Sequence, residues 1–165
     1  MTAPRLRAVI GLGSSLGDRR RLLALGAKAL DTAPEVEVTR LSRIYWSPPA
    51  GGVAGGGFLN AAAAVEARCT PAALLARCLA IERLLGRRRG RRWADRTLDM
   101  DVLWIEGVTL EEPSLTVPHP RLTERAFALL PLLEVAPDAI DPRSGARYAS
   151  ARRPAGALAA VGVLG

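Results

Sequence analysis

The sequence predicts an α+β fold, a mostly antiparallel sheet with helices packed on it and related to the ferredoxin-like sandwich. Strand and helix signals alternate as β-α-β-β-α-β-β-α along the chain. The connection between the second and third strands holds no helical stretch, which a parallel crossover would need. A length of 165 residues with 49% apolar content suits one domain spanning 1–165 with a substantial core.

Arg7–Leu12 reads as the first strand. Gly13-Ser14-Ser15-Leu16-Gly17-Asp18 follows, but no Lys-Ser/Thr comes after Gly17, and the glycines do not match a dinucleotide fingerprint. A tight turn fits better, with Asp18 capping a helix over Arg19–Ala33 whose apolar side holds Leu22, Leu23, Leu25, Ala29 and Leu30. Pro34 ends it. Val36–Tyr45 alternates as one long half-exposed strand, and a proline-then-glycine loop runs from Ser47 to Gly57. Phe58–Ala67 is expected to be a central strand despite its alanines. Thr70 as N-cap, Pro71 at the first helical position and Gly86 beyond the last turn mark a second helix.

Asp99–Ile105 has strand composition, Glu106-Gly107 should turn the chain, and Val108–Leu110 is expected to pair back as a short hairpin partner. Pro113–Pro120 reads as loop. A short helix is expected from Thr123 or Glu124 to Val135, bent or interrupted by Pro131. From Asp138 onward no strong period is visible.

The formal charge is +7, and all 23 basic residues except Lys28 are arginine. Such an excess suits nucleic acid, an acidic membrane or a phosphorylated small molecule. Cys69 and Cys78 lack the spacing of a metal knuckle and are expected as reduced, buried residues in a cytoplasmic protein. No apolar run reaches bilayer-spanning length.

The chemistry concentrates between Gly86 and Trp104. Arg87, Arg88, Arg89, Arg91 and Arg92 crowd together, Trp93 and Arg96 follow, and then come Asp99 and Asp101. Alternate residues of a strand face the same way, so both carboxylates project from one face while Met100 and Val102 take the other. The pair reads either as solvated strand residues or as ligands of a hard dication such as magnesium. The arginines read as a nucleic-acid patch, a salt-bridged loop or a polyphosphate clamp. With 4% aromatic residues and one compact cluster, the clamp is favoured. His119, in Thr116-Val117-Pro118-His119-Pro120, reads as a structural residue or a ligand contact. Phe58 with Asn60 two residues on would seat a flat heterocycle, whereas Phe127 at helical spacing fits a core.

Gly13-Ser14-Ser15-Leu16-Gly17-Asp18, Tyr45 with Ser47-Pro48-Pro49, Phe58-Leu59-Asn60, Gly86-Arg87 with Arg89, Trp93, Arg96-Thr97-Leu98-Asp99-Met100-Asp101 and Val117-Pro118-His119-Pro120-Arg121 occur in order. Over Val9–Pro137 this set resembles the 6-hydroxymethyl-7,8-dihydropterin pyrophosphokinase family of folate biosynthesis. The resemblance implies transfer of the β,γ-diphosphate of ATP to the pterin's hydroxymethyl oxygen, with release of AMP. It implies two magnesium ions on Asp99 and Asp101, and phosphate charge neutralised by Arg87, Arg89, Arg96 and Arg125, with Arg87 and Arg96 catalytic. Glu82, Trp93, Val102, Thr116 and His119 are implied around the nucleotide. Phe58 and Phe127 would sandwich the pterin, Asn60 would read its polar edge, and Ser47 and Pro48 would complete the seat. ATP and the pterin are then the partners, with no nucleic acid or membrane, and the protein is expected as a monomer. Ser15, Gly55–Gly57, Leu79 and Ser114 stand where many family members carry other residues. No side chain stands out as a general base.

Two other readings remain: an RNA-binding α+β module, and a catalytically silent nucleotide binder. RNA binding through the arginines would be steeply salt-dependent and indifferent to Asp99 and Asp101. Titrating an oligonucleotide at low and at physiological salt is expected to show no binding that survives physiological salt, whereas the RNA reading predicts tight, salt-dependent binding to the wild type and to an Asp101→Ala variant alike. Following AMP release with and without the pterin separates the enzyme from both alternatives.

Overall fold

The computed structural model describes residues 3–49, 55–85 and 97–164. Among these residues, eight strands and three α-helices run as β1 (Leu6–Ser14), α1 (Arg19–Thr32), β2 (Val36–Leu41), β3 (Arg43–Ser47), β4 (Phe58–Ala67), α2 (Pro71–Leu84), β5 (Asp99–Ile105), β6 (Leu110–Glu111), β7 (Thr116–Val117), α3 (Ala126–Val135) and β8 (Ala159–Val163). The main sheet has the order β5-β1-β4-β3-β8, with β2 also paired to β4, and every pairing is antiparallel. The predicted α+β architecture is therefore the observed one.

β4 is central, and its alanines have a packing reason. Ala61, Ala63, Val65 and Ala67 join Leu23, Leu30, Leu74 and Ile81 of α1 and α2 in one core. Ala62 and Ala64 face the other way, into a second core with Leu129, Leu132 and Val135 of α3. A strand covered on both faces keeps helices close only if its side chains are small.

Asp18 caps α1 by accepting the Arg21 amide, and Thr70 caps α2 by accepting that of Ala73. The buried face of α1 is Leu23, Gly26, Ala27 and Leu30, whereas Leu25 points outward. A Cβ on Gly26 would stand 2.9 Å from Leu98 Cδ2, so glycine lets α1 close over the fully buried residue that leads into β5.

Several expectations are corrected. The long strand 36–45 is broken at Ser42, whose hydroxyl accepts the Ala62 amide at 2.8 Å, and β2 and β3 are its two parts. Leu110 pairs with Val117 in a separate two-stranded ribbon rather than with β5. Pro131 lies inside α3 without ending it, although it lacks the N–H that the Phe127 carbonyl would otherwise accept. The stretch after Asp138 folds back: Ile140 bridges Arg147, and β8 adds a strand beside β3. No described helix is long and apolar enough to cross a membrane.

α3 is fastened to the sheet edge through Glu134. Its carboxylate accepts the Arg43 amide at 2.7 Å, the Arg43 guanidinium at 3.2 Å and the Tyr45 hydroxyl. Burial alone would raise the Glu134 pKa, but the hydrogen bonds from Tyr45 and Arg43 outweigh it and hold it below the usual glutamate range. A carboxyl depressed in the folded chain stabilises it above its unfolded pKa and stops doing so as pH falls through the folded one. Glu134→Gln is expected to cost about 1 kcal/mol at neutral pH. The gap to wild type should close in acid, and urea unfolding near neutrality and well below pH 4.5 checks it.

Candidate active site

At the end of the sheet where β1 and β3 leave and β4 and β5 enter, the face shared with α3 opens into a cleft of about 530 Å³. Its floor is β1. Gly13 pairs with Asn60 of β4 on one side and Asp99 of β5 on the other, and Gly11 pairs with Asp101. Adjacent strands lie about 4.8 Å apart, so Asn60 and Asp99 flank a bare strip roughly 10 Å wide. A Cβ on Gly13 would sit 3.1 Å from Asn60 Oδ1, and one on Gly11 would sit 3.1 Å from Leu103 Cδ1. Glycine at these alternate positions keeps the floor open between the amide and the carboxylates.

The chain has two phenylalanines, and both line this cleft. Phe58, at the start of β4, is 37% exposed, and Phe127, in the first turn of α3, is 38% exposed. Large aromatics left this open on either side of a cleft offer π-faces to a flat ligand. The Arg125 guanidinium lies over the Phe127 ring, 5.7 Å from its centroid. Asn60 is buried, and its Nδ2 donates to Ser47 Oγ at 3.1 Å, which fixes the amide and turns Oδ1 toward Gly13.

β5 carries the acids. Asp99 is half-buried, Asp101 is exposed, and both line the cleft, while Met100 and Val102 are buried against the opposite core. Between the two aspartates the Met100 amide donates at 2.7 Å to Glu82 Oε1, a buried carboxylate of α2. Among the described residues no three His, Cys, Asp or Glu side chains form a closed metal cage. Two carboxylates on one face would suit a hard dication such as magnesium, which takes the rest of its ligands from elsewhere.

His119 is tied to β5 because its amide donates to the Leu103 carbonyl at 2.9 Å. Its Nδ1 accepts the Arg121 amide at 3.2 Å, so the neutral ring carries its proton on Nε2. Burial, then the charges of Arg125 and Arg121, push its pKa down, against the pull of Asp99. The ring is therefore a neutral N–H donor at physiological pH. The Val117–Pro118 peptide just before it is cis.

Residues 9–137 match the family described as 7,8-dihydro-6-hydroxymethylpterin-pyrophosphokinase. The chain belongs to this family. It is a pyrophosphokinase of folate biosynthesis. It is 45% identical over 134 residues to the 2-amino-4-hydroxy-6-hydroxymethyldihydropteridine pyrophosphokinase of Methylorubrum extorquens, covering 81% of this chain and 85% of that one. The Bacillus subtilis enzyme of the same name is 41% identical over 128 residues, covering 78% and 77%. A solved HPPK-DHPS in complex with substrates matches with a TM-score of 0.66 at 13% identity, covering 90% of this chain and 44% of that one. Wild-type Plasmodium falciparum HPPK-DHPS matches with a TM-score of 0.65 at 13% identity, covering 89% and 41%. The chain thus spans less than half of those longer proteins, and at such identity the likeness shows the fold alone.

The structure brings Ser47, Pro48, Phe58, Asn60, Asp99, Asp101, Arg125 and Phe127 into one cleft. It does not bring every expected residue there. Val102 is a core residue, 4% exposed, on the far face of β5, and Glu82 lies behind that strand. Thr116 and His119 stand on β7 and the loop after it, outside the cleft lining. Arg87, Arg89, Trp93 and Arg96 lie outside the described residues.

Sequence reasoning missed Gly11 and Gly13 as floor residues, having placed Gly11 in the first strand without a role and read Gly13 as the start of a turn. Their spacing of two within a strand was the available signal. It also missed Arg121, Glu124 and Ala155–Leu158, which line the cleft from loops without a period. Filling the floor should separate folding from turnover. Gly13→Val is expected to keep the protein folded, since a β-branched residue suits a strand, while kcat/KM falls by roughly 100-fold through misplaced substrate. Circular dichroism melting and steady-state rates check both halves.

Proposed function

We propose that the cleft joins ATP to 6-hydroxymethyl-7,8-dihydropterin, with the triphosphate over β5 and the pterin ring between Phe58 and Phe127. One observation carries this reading: two open aromatic rings and two carboxylates face a single cleft, separated by the glycine floor of β1. The hydroxymethyl oxygen then lies above Gly13, between the amide that holds the ring and the acids that hold the phosphates.

The reaction forms a bond from that oxygen to the β-phosphorus and breaks the bond from the β-phosphorus to the oxygen bridging it to the α-phosphate, so AMP leaves. Alignment and charge neutralisation supply most of the rate in such transfers. Asp99 and Asp101 would hold two magnesium ions, which supply charge neutralisation at the triphosphate. Glu82 fixes β5 from behind by accepting the Met100 amide, and so keeps both acids turned to the cleft. Asn60 Oδ1 accepts from the ring's polar edge, with Ser47 and Pro48 beside it. Arg125, seated on Phe127, meets phosphate charge from the pterin side, and His119 donates its Nε2 proton to a phosphate oxygen. Thr116 and Val102 border the nucleotide through β7 and the β5 backbone. The proposal assigns Arg87, Arg89 and Arg96 to the leaving and transferred phosphates and Trp93 to closure over both substrates. The hydroxymethyl proton leaves late, to a phosphate oxygen or water, without an enzyme base. The protein acts as a cytoplasmic monomer that binds neither nucleic acid nor membrane.

Asp99→Ala and Asp101→Ala are each expected to leave the fold intact and lower AMP release by roughly 100-fold or more. Pterin-dependent AMP formation, measured with and without magnesium, tests this. Wild-type rates in either variant would remove the acids from the mechanism, and AMP release that ignores the pterin would remove the acceptor.

A further inference from the structure

The chain returns to the cleft after the family match ends at residue 137. β8 pairs antiparallel with β3, with Ala160 opposite Tyr45 and Ala159 opposite Trp46. Continuing that register carries Leu158 past Ser47 and Ala157 past Pro48, the two residues at the inner edge of the pterin seat. Ala155, Gly156, Ala157 and Leu158 all line the cleft that holds Phe58 and Phe127. Ala155 also borders a shallower groove with Thr123 and Glu124, just ahead of α3. The segment therefore crosses from the α3 side of the cleft to the β3 side. It is anchored beyond the cleft, where Arg20 Nη2 donates to the Val161 carbonyl at 2.6 Å and Leu164 is buried in the core. A Cβ on Gly162 would press on that guanidinium, so glycine there leaves the Arg20 contact undisturbed.

The order of strands says which end of the ligand meets this segment. β5 and β8 are the two edges of the sheet. Four steps of about 4.8 Å separate them, roughly 19 Å. With phosphates over β5 and the hydroxymethyl group directed at them, the opposite end of the bicyclic ring, its pyrimidine edge, points toward β3 and β8. There the segment presents the small residues Ala155, Gly156 and Ala157 together with the Leu158 side chain. No backbone hydrogen bond joins Ala155, Gly156 or Ala157 to other described residues, so their backbone groups are not committed to the sheet ladder.

We propose that Ala155–Leu158 is the edge wall of the pterin seat and sets which rings the enzyme accepts. The 2-amino-4-oxo edge fits against it, and rings extended beyond the 2-amino group are excluded. This inference rests on the pyrophosphokinase reading of the cleft. Ala157 is exposed, so a larger side chain there does not disturb the core.

Ala157→Trp is expected to raise the KM for hydroxymethyl-dihydropterin about tenfold, with the KM for ATP and the thermal midpoint unchanged. A merely structural role would shift all three together. As a second arm, Leu158→Ala, which opens the wall while keeping β8 and its anchor, is expected to turn over an N2-alkylated hydroxymethyl-dihydropterin that the wild type rejects. An active wild type with an unaltered pterin KM in Ala157→Trp would overturn the edge wall alone. A full-length protein that releases no AMP with the unmodified pterin would overturn the cleft assignment as well.

Discussion

The active-site geometry depends on the fixed register of three antiparallel strands, β4, β1 and β5. Because β1 is paired on both sides, Gly13 is held opposite Asn60 and Asp99 at once. A slip of one residue on either side would turn the amide or the acids into the opposite core. The register is protected by what lies behind it: Met100 and Val102 are buried against α1 and α2, and the Met100 amide is bound to the Glu82 carboxylate. Charge on the cleft face is therefore secured by packing on the far face.

The same division of labour extends through the fold. Small residues on β4 let helices cover both faces, and α3 then delivers Phe127 and Arg125 to the cleft rim. Glu134 ties the other end of α3 to Arg43 and Tyr45 of β3. The loop before β4 is anchored where it re-enters the described structure: Arg19 donates to the Gly56 and Gly57 carbonyls at 2.7 and 2.9 Å, and the Trp46 indole donates to Gly56 at 2.8 Å. Gly57 has φ 77°, and a Cβ there would strike the Ser47 carbonyl, so only glycine links the loop to Phe58 in this way. Both aromatic rings lining the cleft thus stand on ordered supports.

Much of this was legible in the residues because local chemistry and tertiary context agreed. Period-two placement of Asp99 and Asp101 gave their shared face, and Asp18, Thr70 and Pro71 marked helix starts that packing leaves in place. Legibility failed where packing decides. On the apolar side of α1, Leu23 and Leu30 meet the core as read and Ala29 packs against it, but Gly26 and Ala27 take the place given to Leu25. Ser42 breaks an alternation that looked continuous, because its hydroxyl substitutes for a ladder contact. Val102 and Glu82 lie behind β5, a placement set by which face of that strand α2 covers. β8 is mostly alanine, valine and glycine on an edge, with too little amphipathic pattern to announce a strand.

The most direct measurement is a crystal structure with magnesium, an ATP analogue whose α–β bridge is methylene, and 6-hydroxymethylpterin bound together. The geometry predicts metal density against both Asp99 and Asp101, the ring between Phe58 and Phe127, and the hydroxymethyl oxygen over Gly13 facing the β-phosphorus. Phosphates bound away from β5 with those two acids directed into solvent, or a ring seated outside the Phe58–Phe127 slot, would contradict it.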